Sequence, residues 1–509
     1  MNGRPNMSND NVRIQLEPLS VVVEVPRGEP LLASISQFGF EFPCGGTGLC
    51  GGCKVRILAG SLSITDQDRS AFSTEELARG WRLACQAHAE TPSVLECGQW
   101  HMDVLADLSA QSALKPGTEK HGLGIAIDLG TTTIAAQMLD LATGNILAVE
   151  TDLNPQSAYG SDVMSRIRAA LMGDDLITVV RSKLQSMIAN LVRGRESEIC
   201  EVVLVGNTVM HHLFAELDVA QLSWAPFEPA HLEEQSFRPQ ELNWALRSDC
   251  RIRFLRCLGG FVGSDILAGI IAVGMHSAEN LMALVDLGTN GEIAIGNRNG
   301  ILCASAAAGP AFEAGAIRMG MRAVAGAISR VSYSNGKMQA TVIGNGEARG
   351  ICGSGLVDAV ATGLESGAIL PSGRIANQTK VFPVCEPVVL DQADIRELQL
   401  AKAAIASGFR LLLKRLRASA GDLQDIYLAG AFGNYVQIDS AIGIGMIEAP
   451  GSRMHAAGNT ALRGAKAFLL SEEEPALPEI THVSLASDPG FQDEFVNCMT
   501  FPQSHPFIR

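Results

Sequence analysis

The 509-residue chain is short of charge: only 18% of its residues are charged, and 54 acidic residues outnumber 39 Lys and Arg for a net charge of −15. Without a basic excess there is no electrostatic footprint for phosphate backbones, so nucleic acid is not an expected partner. No apolar run approaches the roughly 18 residues of a membrane-spanning helix, and Met1–Pro18 lacks a charged start followed by an apolar signal core. A cytoplasmic protein without a membrane partner is expected. The chain also has no Walker-type G-x-x-x-x-G-K-S/T, no G-x-G-x-x-G opening a helix after its first strand, and no H-E-x-x-H. Twelve cysteines in a chain of this length are too sparse for a disulfide scaffold. Their spacing therefore carries more information than their number.

At about 100–200 residues per domain, the length suits two to four domains. The stretches VRIQLEP and VVVEVP read as short strands joined by a turn, and Glu29–Phe40 as a short helix before a Gly- and Cys-rich loop. Residues 98–121 are polar in their second half and carry a Lys115-Pro-Gly turn, which reads as a linker. Residues 1–97 then form a small module, and 122–509 an α/β region of alternating strands and helices. Within that region IAIDLGTTTI, beginning at Ile125, is echoed by LVDLGTNGEI, beginning at Leu284, with Asp128 and Asp286 in equivalent places. Val202–Thr208 is echoed in the same way by Ile426–Phe432. Two related halves follow, about 122–280 and 281–509.

Cys44, Cys50 and Cys53 stand in C-G-G-T-G-L-C-G-G-C, and Cys85 follows in Arg82-Leu-Ala-Cys-Gln86. Glycines at 45, 46, 48, 51 and 52 let the backbone fold tightly around a cluster and point N–H groups at its sulfurs, which favours the reduced state. A [2Fe–2S] cluster on these four thiolates is the reading adopted, with structural zinc as the alternative that four Cys ligands also suit. Plant-type ferredoxins space this loop C-x4-C-x2-C; here the first gap is five residues. Cys97 lies close by and competes with Cys85 for the fourth place.

Each D-L-G-T segment reads as a strand ending in Asp, a Gly-Thr turn and a second strand. The turn's N–H and hydroxyl groups suit phosphate oxygens: Gly130, Thr131, Thr132 and Thr133 in the first copy, Gly288, Thr289 and Asn290 in the second. Two such hairpins facing each other close on a polyphosphate from both sides, with Asp128 and Asp286 placed for a hydrated Mg²⁺. Gly206-Asn207, Gly353-Ser354-Gly355 before a helix, and Gly430-Ala431-Phe432 add small-residue turns that let backbone approach a nucleotide. Asp394-x-x-Glu397 fits a helix capping box, and Lys402 on that helix is a further candidate for the nucleotide. His211-His212 is not read as a metal site, because adjacent helical residues point to different sides.

These segments resemble the phosphate and adenosine motifs of the acetate and sugar kinase/heat-shock/actin ATPase superfamily. With the cysteine module, nearly the whole chain resembles the reductive activators of corrinoid proteins. Further similar stretches are Leu153-Asn-Pro-Gln156, Tyr159-Gly-Ser-Asp162, Ala308-Gly-Pro-Ala-Phe-Glu313 and Phe491-Gln-Asp-Glu-Phe-Val496. The resemblance implies a β-grasp ferredoxin domain followed by a duplicated, ribonuclease H-like (actin-like) two-lobed ATPase. It also implies that ATP hydrolysis drives an electron from the [2Fe–2S] cluster to an inactive Co(II) corrinoid on a partner protein, restoring Co(I) for methyl transfer. An external donor, a reductase or reduced ferredoxin or flavodoxin, is implied as well, and a homodimer is left open. Longer family members carry an extra domain between ferredoxin and ATPase, where this chain has only the linker.

A plant-type cluster lies near about −400 mV and the Co(II)/Co(I) couple is expected lower, so the transfer is uphill by about 1.4 kcal/mol per 60 mV. ATP-dependent closure is the expected source of the difference. The rival readings are an activator of the 2-hydroxyacyl-CoA dehydratase type, a small-molecule kinase, and a ferredoxin-type carrier without ATPase coupling.

Overall fold

The computed structural model describes residues 11–17, 21–36, 53–97, 120–160, 162–288, 290–323, 326–334, 337–343, 346–430 and 436–503. Within the amino-terminal module, alternating polar and apolar residues make β1 (Asn11–Glu17) a half-buried strand that pairs antiparallel with β2 (Val21–Pro26). The helix that follows runs over Leu31–Ser36, two residues later than its expected start, because Pro30 bridges to His88. β3 (Lys54–Ala59), β4 (Trp81–Leu83) and β5 (Ser93–Cys97) complete a five-stranded sheet in the order β2-β1-β5-β3-β4.

The first lobe is a six-stranded sheet built from β6 (Leu123–Leu129), β7 (Thr133–Asp140), β8 (Ile146–Leu153), β9 (Ile199–Gly206), β10 (Gln235–Phe237) and β11 (Arg251–Phe254), ordered β10-β11-β9-β6-β7-β8. β6, β7 and β8 are antiparallel neighbours, whereas β9 and β11 run parallel to β6. The second lobe repeats this plan. β12 (Leu281–Leu287), β13 (Gly291–Asn297) and β14 (Gly300–Ala306) are antiparallel, and the later β20 (Leu423–Ala429) and β21 (Arg453–Gly458) are parallel to β12, with β22 (Ile480–His482) beside β14. Between β14 and β20 lie β15 (Ala327–Ser334), β16 (Lys337–Val342) and β17 (Gly350–Ile351) in one small sheet, and β18 (Val381–Cys385) with β19 (Val388–Asp391) in another.

Because helices cover both faces of the large sheets, their central strands are apolar on both sides, as in β6, where six of the seven residues are buried. Separate clusters on Phe214 and Phe254 in the first lobe and on Phe409 and Ile426 in the second fill the outer faces. A third cluster joins the lobes through helices Ser264–Ala272 and Thr460–Leu470. These two helices touch backbone to backbone, since a β-carbon at Gly464 would stand 1.9 Å from the Ala268 carbonyl oxygen. Among the described residues no helix is long and apolar enough to cross a membrane.

The linker reading falls mostly outside the described residues, which resume at Lys120; its Nζ donates to Glu201 Oε2 at 3.1 Å and to the Leu469 carbonyl oxygen at 2.9 Å. The long helix Gln392–Arg415 begins before the expected Asp394-x-x-Glu397 box. Its cap is Asp391, which accepts from the N–H groups of Ala393 and Asp394 while Asp394 accepts from the Asp391 N–H. Asp394 is held there by its second oxygen, which accepts from Arg318 N at 2.7 Å.

Gly464→Ala forces the two interlobe helices apart and is expected to cost about 1–3 kcal/mol, read as a lowered urea midpoint. Gly346→Ala, where a β-carbon meets nothing within 4 Å, is the control and should leave the midpoint in place.

Candidate functional site

Two pieces of chemistry are built into separate parts of the chain. In the module, Cys53 and Cys85 are buried at 1% and 7% exposure, each at one end of the β3–β4 pairing. Lys54 stands opposite Leu83, and Ala84 N donates to the Cys53 carbonyl oxygen at 2.8 Å, so both cysteines lie at the same edge. The approach to Cys85 is fixed by buried polar groups. Asp68, in a capping box with Thr65, accepts from Leu83 N at 2.7 Å, and the guanidinium of Arg82 donates to the carbonyls of Leu62, Leu77 and Trp81. Gln86 Nε2 points at the Cys85 sulfur from 3.5 Å. Cys44 and Cys50 lie outside the described residues. The competitor Cys97 stands opposite Val55 in the sheet and is fully buried; burial first, then Glu17 and Glu96, push its thiol well above its usual range. Cys97 thus lies within the β3–β5 pairing, whereas Cys53 and Cys85 lie together at the end of β3–β4.

The second site lies between the lobes. Hairpins form at both D-L-G-T segments: Gly130 N donates to Thr133 O, and Gly288 N to Asn290 O, each at 3.0 Å. The first hairpin is braced from below by Asn154, whose Nδ2 donates to the Gly130 carbonyl oxygen and whose N donates to Thr132 O, both at 2.9 Å. From the side, Asn207 Nδ2 donates to Thr131 Oγ1 at 2.9 Å while its own oxygen caps the helix Thr208–Ala215. In the second lobe Gly430, at φ +83°, lays its backbone against Asp286, and a β-carbon there would stand 2.5 Å from Asp286 Oδ1. Gly353 opens the helix Gly353–Glu365, whose N-terminus takes no side-chain cap, and the Ser354 hydroxyl donates to Ser329 O. Thr289, Ala431 and Phe432 lie outside the described residues.

Lys402 takes a different partner from the one expected. It is buried, donates to the Thr500 carbonyl oxygen at 2.6 Å and lies 5.2 Å over the Phe501 ring, so it pins the carboxy-terminal segment to its helix. His211 and His212 are both buried, and His212 Nδ1 meets its own helix at Thr208 O.

Four half-buried carboxylates face this interlobe site, and two of them escaped the sequence analysis. Burial raises Asp128 to about 6 against a hydrogen bond from Asn459 Nδ2 at 2.8 Å. Burial and then the charge of Asp128 raise Asp286 to about 7. Asp265, in the first turn of the helix Ser264–Ala272, is raised to about 8 by burial and then by Asp286. Glu292 is pushed well above the carboxylate range by burial, Asp265 and Asp286, although Ser305 Oγ donates to it. Glu292 stands directly across the hairpin from Asp286, where the first lobe has Ala135 across from Asp128. Its signal in the sequence was a charge six residues after Asp286, just past the Gly-Thr turn in the second strand of the hairpin. Asn459 was signalled by Gly458-Asn-Thr460, which repeats Gly206-Asn-Thr208. Among the described residues no three His, Cys, Asp or Glu are placed to hold an ion by themselves. Mg²⁺ keeps several waters and takes one or two carboxylates plus phosphates, and a set of carboxylates turned on a phosphate site suits it in that way.

Three family patterns match the chain end to end: a 2Fe-2S iron-sulfur cluster binding domain over residues 14–90, a "RACo middle region" over 123–278, and a "C-terminal domain of RACo the ASKHA domain" over 280–508. The middle-region pattern thus falls on the first lobe. The chain is 34% identical over 417 residues to the corrinoid activation enzyme RamQ of Eubacterium limosum, covering 74% of this chain and 70% of that protein. It is 26% identical over 403 residues to the Co(II) methylated amine-specific corrinoid protein reductase of Methanosarcina barkeri, with 71% and 72% covered. A solved structure of a reductive activator for corrinoid, iron-sulfur protein superposes with a TM-score of 0.64 at 26% identity, over 96% of this chain and 98% of that one.

Replacing Cys85 by Ser should remove most of the iron from the purified protein, whereas Cys97→Ser should keep about two irons per chain; elemental analysis decides. The interlobe carboxylates make a second, pH-dependent prediction. Their folded pKa values exceed the unfolded values of about 4, so the ligand-free fold holds protons that the unfolded chain has lost, and it loses stability as pH rises through about 6 to 8. The melting temperature should fall between pH 6 and 8.5, and Asp265→Asn should flatten the fall.

Proposed function

Because the chain belongs to the reductive activators of corrinoid proteins, we propose that it hydrolyses ATP to drive an electron from a [2Fe–2S] cluster in its amino-terminal module to an inactive Co(II) corrinoid on a separate methyl-transfer protein, restoring Co(I). The observation that carries this reading is the pairing, in one chain, of a cysteine edge suited to a cluster with an interlobe site of two phosphate-type hairpins and half-buried carboxylates.

Cys53 and Cys85, with Cys44 and Cys50 of the Gly-rich loop, hold the cluster. When bound, it supplies a low-potential one-electron carrier. Between the lobes, the N–H groups of the Gly130–Thr133 and Gly288–Asn290 turns meet the phosphates of ATP. Asn207 donates to Thr131 Oγ1, so the Thr131 hydroxyl keeps its own hydrogen for a phosphate oxygen. Thr289 matches Thr131 in sequence, and Gly353–Gly355 and the Gly430-Ala-Phe432 segment would cover the adenosine. Asp128, which accepts from Asn459, would face the Mg²⁺ that accompanies ATP. Asp286, which stands across its hairpin from Glu292 and is raised by burial and then by Asp128, would orient the attacking water and take its proton. Closing the lobes on ATP changes the surface presented to the partner, and hydrolysis resets it. The external donor is a reductase or reduced ferredoxin or flavodoxin, and the reaction belongs to the cytoplasm, where such donors and reduced thiols are available.

Asp286→Asn is the test: ATP hydrolysis should fall by at least about 10²-fold, while the visible spectrum of the cluster stays as in the native protein. Undiminished hydrolysis would remove the paired-hairpin site from the reading.

A further inference from the structure

A module hung on a polar linker makes few contacts with its neighbour, yet the described residues tie this one to both lobes. On the first lobe, Leu153 at the end of β8 is 4% exposed and belongs to the buried cluster of the module that also contains Cys53 and Cys85. On the second lobe, Arg349 Nη2 donates to the Ala71 carbonyl oxygen at 2.9 Å, and the guanidinium lies 5.5 Å over the Phe72 ring. Around this contact one carboxylate serves two cations, Arg349 and Lys54, which oppose each other. Burial works to raise the Glu76 carboxyl, but hydrogen bonds from Ser73 and the charges of Arg349 and Lys54 hold it below its usual range.

Both anchors are continuous with the nucleotide elements. Leu153 pairs with Thr133 of the first hairpin, and the next residue is Asn154, which braces that hairpin at Gly130 and Thr132. Arg349 immediately precedes β17, which leads into the helix Gly353–Glu365. Its N–H donates to Gly326 O at 2.8 Å, and its stem crosses Gly326 so closely that a β-carbon there would stand 2.8 Å from Arg349 Cδ. A module held at one point on each lobe fits only one spacing of the lobes. A nucleotide gripped by both hairpins draws one element of each lobe to a single ligand, so any change of lobe spacing that follows is felt at both anchors.

We propose that the nucleotide-free chain holds its ferredoxin module on this two-point seat, with Arg349 as the positioning residue, and that ATP binding releases it. The inference rests on the reading that ATP binds between the hairpins. Release couples nucleotide to electron delivery, since the cluster is then free to approach the partner's cobalt only in the ATP-bound chain.

Hydrogen–deuterium exchange on the full-length, cluster-loaded protein tests it, with and without Mg²⁺ and a non-hydrolysable ATP analogue. In the native protein the analogue should slow exchange at 128–134 and 286–291 and speed it at 66–78 by roughly tenfold, the factor a hydrogen bond and a cation–π contact together support. In Arg349→Ala, residues 66–78 should exchange fast from the start and respond no further, while the hairpins are still protected by the analogue, which shows the variant folded and competent. Hairpin protection with exchange at 66–78 unchanged or slowed in the native protein overturns the release proposal and leaves the ATP site standing. No protection at the hairpins overturns the ATP-site reading itself.

Discussion

The interlobe site is governed by the partial burial of four carboxylates that the fold gathers in one place, with their mutual repulsion adding to it. Asp128, Asp265, Asp286 and Glu292 are raised by burial and, except for Asp128, by one another. Burying like charges together is costly unless a cation or protons compensate. The fold therefore holds ready a demand for positive charge at the point where two hairpins offer N–H groups to an anion. A magnesium–nucleotide complex answers both demands at once.

The duplicated sheet is what brings these groups together. Asp128 and Asp286 end the equivalent central strands β6 and β12, and the parallel neighbours β9 and β20 bring Gly206 and Gly430 alongside them. The symmetry is broken where the chemistry needs it: Glu292 faces Asp286, whereas an alanine faces Asp128. The helices Ser264–Ala272 and Thr460–Leu470 deliver Asp265 and Asn459 from opposite lobes and cross at Gly464 without room for a side chain. Asn459 reaches Asp128 across the lobes, so the two aspartates of the repeat sit in unequal surroundings and can take unequal roles.

What the sequence disclosed and what it hid follow from the range of the interactions. Hairpins are local: D-L-G-T followed by a second apolar run specifies strand, turn and strand within a dozen residues, so both were legible. So was the duplication, because its echo needs no knowledge of contacts. The Gly-rich cysteine loop is equally local in sequence. Asp265 was hidden because its role depends on how its helix meets the second lobe, and the Gly458-Asn-Thr460 echo that marks Asn459 does not reveal that its partner is Asp128, 331 positions away. Lys402 misled for the same reason. Its helix was visible, but the Thr500 carbonyl that draws its ammonium lies about a hundred residues on, in a segment whose path the pattern does not reveal. The cap at Asp391 was missed because two overlapping acidic boxes are available, and the choice between them is made by Arg318.

The account turns on ATP supplying what the cluster alone lacks. The direct measurement is the visible spectrum of a Co(II) corrinoid protein of a methyl-transfer system, mixed anaerobically with the dithionite-reduced protein, with and without Mg²⁺ and ATP. The account predicts that the Co(I) band grows only when hydrolysable ATP is present. Co(I) appearing at the same rate and to the same extent without nucleotide would contradict it and leave the chain a simple electron carrier.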